Sequence, residues 1–503
     1  MKNNNLPDWY KIKKYCHIDA QFSKGEFHKV YGYVRNKENI KKHSFLPFIH
    51  REVTTRKFRR KNIDGNRSLI RVPDKKTRHI HYCSHLDAMI YSYYKELIQK
   101  KYEEKIESFS DCITAYRKIK GQKKSKNNVD FAKEVFDYIK FNKCKNLYVF
   151  TADISNFFDG LSHKILKDKW KYVMDFNDTM DVDHYQVYKN ITKFSYLEEK
   201  DIFKLFKDRI KVERQDGDEK VLKEKPIGRR SYMKNQRAVA FCDLKDIKEI
   251  RENNLIKANK WNYDKDAKAK TTLRTVGIPQ GSPISALLAN VYMLDFDKKM
   301  FDYISDHGLY RRYSDDIIII VPIERLGSTR TELQEAISKI DLIIKDEKTQ
   351  EFRFDYNEKN KRFDCLFKDK AKGVFTSNKK LEYLGFEFDG DETRIKSSSL
   401  ASFYRKMKRT IKRGKFYSKR IDNNTRGKLF KRRLYKRFTF KGAKRRVKHL
   451  RHKHNPSVFI PQKFHDWGNY LTYAFMAKDI MDSGAIKRQL RRSWTIFHKE
   501  LWK

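Results

Sequence analysis

Cysteine is scarce and scattered: six residues (Cys16, Cys83, Cys112, Cys144, Cys242 and Cys365) in a chain of 503. None forms a Cys-x-x-Cys pair, and no His-x-x-x-His partners a cysteine couple, which excludes the common structural zinc modules. Isolated thiols of this kind read as buried and reduced. No apolar run reaches transmembrane length, and Met1 to Lys14 lacks the apolar region of a signal peptide. The expectation is a cytoplasmic protein with no membrane partner. Acidic residues are also few, 65 against 114 Lys and Arg, so the formal net charge is +49. An enzyme for small neutral substrates has no use for that excess. A polyanion neutralises it most readily, and in a soluble protein that means nucleic acid. There is no internal repeat.

Aromatics are plentiful, with 29 Tyr and 35 Phe, and those interleaved with Lys and Arg suit base stacking beside phosphate contact. Residues 1–65 read as a basic, aromatic N-terminal extension. A strand-like Leu69-Ile70-Arg71-Val72 and a turn at Pro73-Asp74 follow. Apolar residues at helical spacing (Met89, Ile90, Tyr93, Leu97, Ile98) then predict a helix over Asp87 to Lys105. Residues 146–400 alternate short buried strands with helices, an α+β pattern. A hydrophilic insertion near 197–270 interrupts them and carries a hairpin from Ile210 to Lys225, turning at Asp216-Gly217. Between Ala401 and Leu450 stand 21 Lys or Arg and one acidic residue, Asp422. Phe403, Leu429, Leu434 and Phe438 recur among these charges, so the block reads as basic helices that line a nucleic-acid groove.

Three constellations carry chemistry. In the first, the apolar run Leu147 to Phe150 delivers Asp153 at a strand end, where a metal site can sit at the sheet edge. Asp159, farther on, suits a helix cap. In the second, Tyr313-Ser314-Asp315-Asp316 places two adjacent carboxylates in a turn directly before Ile317-Ile318-Ile319-Ile320-Val321. Their repulsion is costly there, and a bound divalent cation offsets it. In the third, Gly277-Ile278-Pro279-Gln280-Gly281-Ser282-Pro283 fixes a tight loop. It runs into the small-residue helix Ala286 to Met293, which permits close approach of a base pair.

In this order, the three resemble the palm of reverse transcriptases: a first Asp strand, a Pro-Gln-Gly loop and a Tyr-x-Asp-Asp hairpin. The likeness extends outward. Arg71 to Arg78 resembles the fingers hairpin that holds the incoming triphosphate, and Ala115-Tyr116-Arg117 the next fingers motif. Lys348-Thr349 is similar to the motif that places a Lys near the triphosphate, and Tyr383-Leu384-Gly385-Phe386 to the primer-grip turn. The resemblance implies a right-hand polymerase with fingers and palm over 66–380 and a basic helical thumb and C-terminal region over 381–503. It also implies an RNA-directed DNA polymerase in which Asp153, Asp315 and Asp316, with the main-chain carbonyl of Ile154, hold two Mg²⁺ ions, Mn²⁺ being the alternative. Phe158 falls at the steric gate that selects deoxynucleotides. Arg78, with Arg71 or Lys75, would grip the phosphates, and Gln280 and Gly281 would pack under the templating pair. Tyr313, Leu384, Gly385, Arg405, Lys408, Arg409, Lys412 and Arg413 would contact primer and template.

The retron motifs Asn-Ala-x-x-His and Val-Thr-Gly and the zinc-bearing nuclease of group II intron enzymes are not found, and no RNase H-like region follows the thumb. A single palm, a long insertion and a private basic C-terminal region look most like the defence-associated bacterial enzymes. Several of these work with a dedicated structured non-coding RNA. The implied partners are therefore an RNA template, dNTPs and a DNA product, with self-association open. A retron or group II intron-type enzyme, untemplated DNA synthesis, an RNA polymerase on the same palm, and a binding protein with an inactive palm are the competing readings.

Overall fold

The protein is described by a computed structural model covering residues 6–63, 66–121, 125–144, 146–216, 219–259, 261–264, 269–419, 429–443, 446–452, 455, 457–466 and 468–503. Its centre is a six-stranded antiparallel sheet in the order Leu309–Tyr313, Asp316–Pro322, Asn146–Asp153, Gln350–Asn357, Arg362–Asp369 and Val374–Thr376. Successive side chains on a strand alternate between faces, and here both faces are covered. Tyr148, Ala152, Ile317, Ile319 and Val321 pack with the helices Ser285–Tyr292, Leu294–Ile304 and Leu326–Ser338. Leu147, Val149, Ile318, Ile320, Phe352 and Phe354 pack instead with the helix Asn128–Lys140 and the C-terminal helices. Burial on two sides is why the run from Ile317 to Val321 is apolar throughout and does not alternate.

The flanking helices are specified locally. Asn127 and Asp130 form a reciprocal capping box at the start of Asn128–Lys140, and Val129, Ala132, Val135, Phe136 and Ile139 line its buried side. Ser84 caps His85–Lys105 through the Asp87 N–H, so this helix begins two residues before the expected Asp87. Met89, Ile90 and Ile98 are buried on it as the spacing predicts, while Tyr93 and Leu97 are only half-buried.

Long-range pairing produces the largest departures from the sequence reading. Phe48–Ile63 and Asn66–Tyr82 form one antiparallel ribbon, with Phe58 opposite Pro73 and Lys57 opposite Asp74. No turn interrupts it at Pro73-Asp74. The 197–270 segment is not merely hydrophilic. Ile202, Phe206, Ile210, Val212 and Ile250 build a separate small core with Cys16, Ile18 and Ile49, which ties the insertion to the N-terminal segment and the ribbon base. The predicted hairpin there pairs Ile210–Asp216 with Glu219–Lys225, while the tip, 217–218, lies outside the described residues.

The C-terminal region is mainly helical (Ser397–Ser418, Lys431–Phe438, Tyr470–Ile480, Gly484–Leu490, Ser493–Trp502). A hairpin of Arg446–Arg451 with Phe459–Asp466 stands where helix was expected. Asp422 lies outside the described residues. All six cysteines are free, and Cys144 is exposed, contrary to the expectation that all are buried: it follows the helix Asn128–Lys140 in a polar connection. Among the described residues no helix is long and apolar enough to cross a membrane.

Candidate active site

At one end of the central sheet, Asp153 closes its strand directly opposite Asp316. Cross-strand partners share a face, so both carboxylates lie on the side facing the C-terminal helices. Tyr313 pairs with Asp316, leaving Ser314 and Asp315 as a two-residue turn, with Ser314 at φ 62°. A positive φ at the first loop residue matches the strand twist of a tight hairpin. The Ile154 N–H donates to the Asp315 carbonyl (3.1 Å), locking this turn to the end of the Asp153 strand.

Three carboxylates on so few residues repel one another. Part of the Asp316 side chain meets solvent, yet desolvation, then the nearby Asp315 and Asp153 charges, push its carboxyl up to about 6. Lys348 Nζ donates to Asp153 Oδ1 at 2.7 Å. Among the described residues, no three acidic, His or Cys side chains converge as a metal cluster. The donor chemistry still fits a hard divalent cation, which takes carboxylate oxygens, provided that Lys348 yields Asp153.

The hairpin is braced from behind by a network that sequence reasoning missed. Arg312 and Asp297 are both fully buried and joined by a two-point ion pair, with Nε donating to Oδ1 at 2.7 Å. Arg312 Nη1 also donates to the Ser314 carbonyl (3.0 Å) and to Asn290 Oδ1 (3.2 Å), and Asn290 donates to the Ala115 carbonyl (3.0 Å). Burial alone would lower the Arg312 pKa, but Asp297 outweighs it and the guanidinium is held charged. Strand alternation was the available signal: Arg312 has the same parity as buried Tyr310, and a charged inward position requires a partner. Tyr116, left-handed at φ 63°, reaches Ser314 Oγ from the front at 3.2 Å. Arg117 instead binds Glu103 and the Ser110 and Ile113 carbonyls, a purely internal role.

The Pro-Gln-Gly loop is joined to the base of the ribbon. The His81 N–H donates to the Gln280 carbonyl (2.8 Å). Gly281 has φ +127°, and a Cβ there would meet the His81 carbonyl at 2.7 Å. Gly277 (φ +93°) is likewise forced, its missing Cβ lying 2.9 Å from the Asp159 carbonyl. The Ile278 N–H donates to the Phe158 carbonyl (2.9 Å), fixing half-buried Phe158 beside the loop. The following helix, Ser285–Tyr292, does not offer its small residues outward: apart from half-buried Ala286 it is buried, and Ser285 closes the loop on the Pro279 carbonyl.

The remaining candidates are spread more widely. Lys75 and Arg78 are exposed on the ribbon, and the Arg71 side chain lies outside the described part. Seven residues of strand separate Arg71 from Arg78, about 23 Å at ~3.3 Å per residue. Leu384 (φ 44°) and Gly385 (φ 92°) form the tight turn between Leu381–Tyr383 and Phe386–Phe388, held by Asn128 Nδ2 donating to the Leu384 carbonyl (3.3 Å). On Ser397–Ser418, Phe403, Met407 and Ile411 are buried one turn apart while Arg405, Lys408, Arg409, Lys412 and Arg413 are exposed. Lys408 is paired with Glu500 at 3.3 Å.

Among curated proteins none matches this chain. Solved structures with similarity include apo telomerase from Candida tropicalis, at 13% identity and TM-score 0.35, over 78% of this chain and 57% of that one. Telomerase from Candida albicans in complex with a TWJ fragment of telomeric RNA aligns at 12% identity and TM-score 0.34, over 77% and 54%. This chain thus spans little more than half the length of those proteins. Residues 239–388 match the family model described as reverse transcriptase (RNA-dependent DNA polymerase). The match includes Gln280, Asp315, Asp316, Lys348 and the Leu384-Gly385 turn. It begins beyond Asp153, which strand pairing restores to the same sheet. Residues 239–388, a little under a third of the chain, are thus similar to a reverse transcriptase domain.

Proposed function

We propose that this chain copies RNA into DNA on a dedicated, structured non-coding RNA in the bacterial cytoplasm, in defence against phage. The observation that carries the polymerase reading is the pairing of Asp153 with Asp316 on one face of the sheet, beside the Asp315 turn. Asp153, Asp315, Asp316 and the Ile154 carbonyl would hold Mg²⁺. When bound, the metal supplies Lewis-acid activation of the primer hydroxyl and neutralisation of phosphate charge.

The chain's own residues do the rest. Lys348, bound to Asp153, neutralises it between turnovers and, once released, would meet the triphosphate. Arg78, nearest to the palm of the three basic ribbon candidates, grips the phosphates. Phe158 crowds a ribose 2′-hydroxyl, and Gln280 and Gly281 support the templating pair. Tyr313 and the Leu384-Gly385 turn seat the primer end, while Arg405, Lys408, Arg409, Lys412 and Arg413 follow the backbone of the hybrid. The defence role rests on the resemblance together with the insertion, which builds a core of its own with the N-terminal segment. Sequencing the RNA that co-purifies with the protein, then supplying dNTPs, tests the whole reading. Extension that requires one discrete RNA supports it, and heterogeneous RNA with extension on any primed template removes the dedicated partner.

A further inference from the structure

The ribbon of Phe48–Ile63 and Asn66–Tyr82 is much longer than a triphosphate site requires. Its buried residues end at His50 on one strand, and the described side chains beyond, 51–55, 72–73 and 75–79, are exposed. From Arg51 to Ile63 it extends about 40 Å at ~3.3 Å per residue. Residues 51–80 hold eleven Lys or Arg and three acidic residues. Register makes the charge costly: Arg56 stands opposite Lys75 and Arg60 opposite Arg71. Like charges at directly opposed positions destabilise a strand pair, and an isolated two-stranded ribbon is marginal to begin with. Exposed Ile70 and Val72 lie along the same arm. A self-repelling, extended arm of this kind is stabilised by an extended polyanion.

We propose that this ribbon is a second nucleic-acid interface, binding the phosphate backbone of an A-form RNA duplex outside the polymerase cleft. The proposal rests on the RNA-copying reading above and deepens it by assigning the surface that holds the structured part of that RNA. Duplex RNA offers a wide, shallow groove flanked by phosphates and is recognised by shape and backbone. Rows of Arg and Lys with little provision for base reading match that chemistry. Charge complementarity favours RNA over an acidic protein because the ribbon's charge recurs along its whole length, as phosphates do on a duplex.

The test uses the full chain with Arg56, Arg59, Arg60 and Arg67 all changed to Gln, and a parallel quartet changed to Lys. Binding is measured across a salt series to an RNA hairpin of about 30 base pairs, long enough to span the arm. Extension is measured on a primed template whose duplex of about ten base pairs stays within the cleft. The Gln quartet is expected to lose at least tenfold in hairpin affinity at low salt. The slope of log K against log salt should become shallower by about 3, at roughly 0.7–0.9 per lost phosphate contact. The Lys quartet should keep the slope, and extension on the short template should stay within twofold of the parent. An unchanged slope in the Gln quartet overturns the proposal, as does a raised dNTP KM on the short template, which would return the ribbon to the triphosphate site. An equal or larger loss on a DNA duplex of the same length overturns the assignment to RNA. If the parent chain extends no primer at all, the polymerase reading fails, while the salt slopes still decide the role of the ribbon.

Discussion

Replacing Arg312 with Met tests whether the buried brace behind the Asp315 turn is part of the catalytic apparatus or only of the core. The single change leaves Asp297 charged and fully buried without its partner, a situation that costs about 3–5 kcal/mol. Changing Asp297 to Asn in the same chain removes the stranded charge and keeps an acceptor for the Tyr310 hydroxyl, which donates to Asp297 Oδ1 at 2.6 Å. The double variant should therefore recover most of that loss in chemical denaturation. It cannot restore the donor to the Ser314 carbonyl. Hydrogen bonds from charged groups contribute about 1.5–3 kcal/mol. If that contribution positions the turn, turnover should fall by roughly 10- to 100-fold, at ~1.4 kcal/mol per tenfold. Single-turnover extension at saturating dNTP, measured beside the denaturation curve, separates the two effects. A double variant with near-parental stability and full parental turnover would refute the positioning role.

Three further outcomes follow from the same geometry. Gly281→Ala should cost about 1–3 kcal/mol, because a Cβ would sit 2.7 Å from the His81 carbonyl at a left-handed φ; parental thermal stability would show that the loop and the ribbon base are not packed together there. Lys348→Met should tighten Mg²⁺ binding, measured by calorimetry, while slowing extension, since it removes the cation bound to Asp153; unchanged metal affinity would contradict this. Stability should also depend on pH. Burial first, and the neighbouring histidine charge for His17, lower His17 to about 3 and burial lowers His85 to about 4, while burial raises Asp19 to about 6. As pH falls below ~6.5, the unfolded chain takes up protons on both histidines that the folded chain refuses, while the folded chain protonates Asp19 and offsets one of the two, so stability drops by about 1.4 kcal/mol per pH unit down to about pH 4. A flat denaturation midpoint between pH 6.5 and 5 would refute this assignment.

The sheet and its turn were legible because their signals are local. Leu147 to Asp153 and Asp316 to Val321 are apolar strands ending in carboxylates, and a two-residue loop of Ser314 and Asp315 leaves little choice but a hairpin. The Gly281 contact was legible as a need for backbone freedom, though not its cause, the carbonyl of His81 two hundred residues earlier. What could not be read depends on distant partners. Phe48–Ile63 has no apolar alternation beyond Ile49 and forms a strand only because Asn66–Tyr82 pairs with it. Pro73 signals a turn in isolation, yet a two-stranded ribbon leaves each strand one free edge on which a missing N–H is tolerated. The core shared by Ile18, Ile49 and Ile202 joins three segments far apart in sequence, and the Arg312 brace links Asp297, Asn290 and Ala115 across three elements.

Primer extension by the parent chain, Asp153→Asn and Asp316→Asn, with dNTPs or NTPs and Mg²⁺ on an RNA template, tests the central claim most directly. The account predicts DNA synthesis by the parent, discrimination against NTPs, and loss of activity by about three orders of magnitude or more in each variant, with RNA binding retained. Extension by either variant near the parental rate would contradict it, because the paired carboxylates would then not be the catalytic centre.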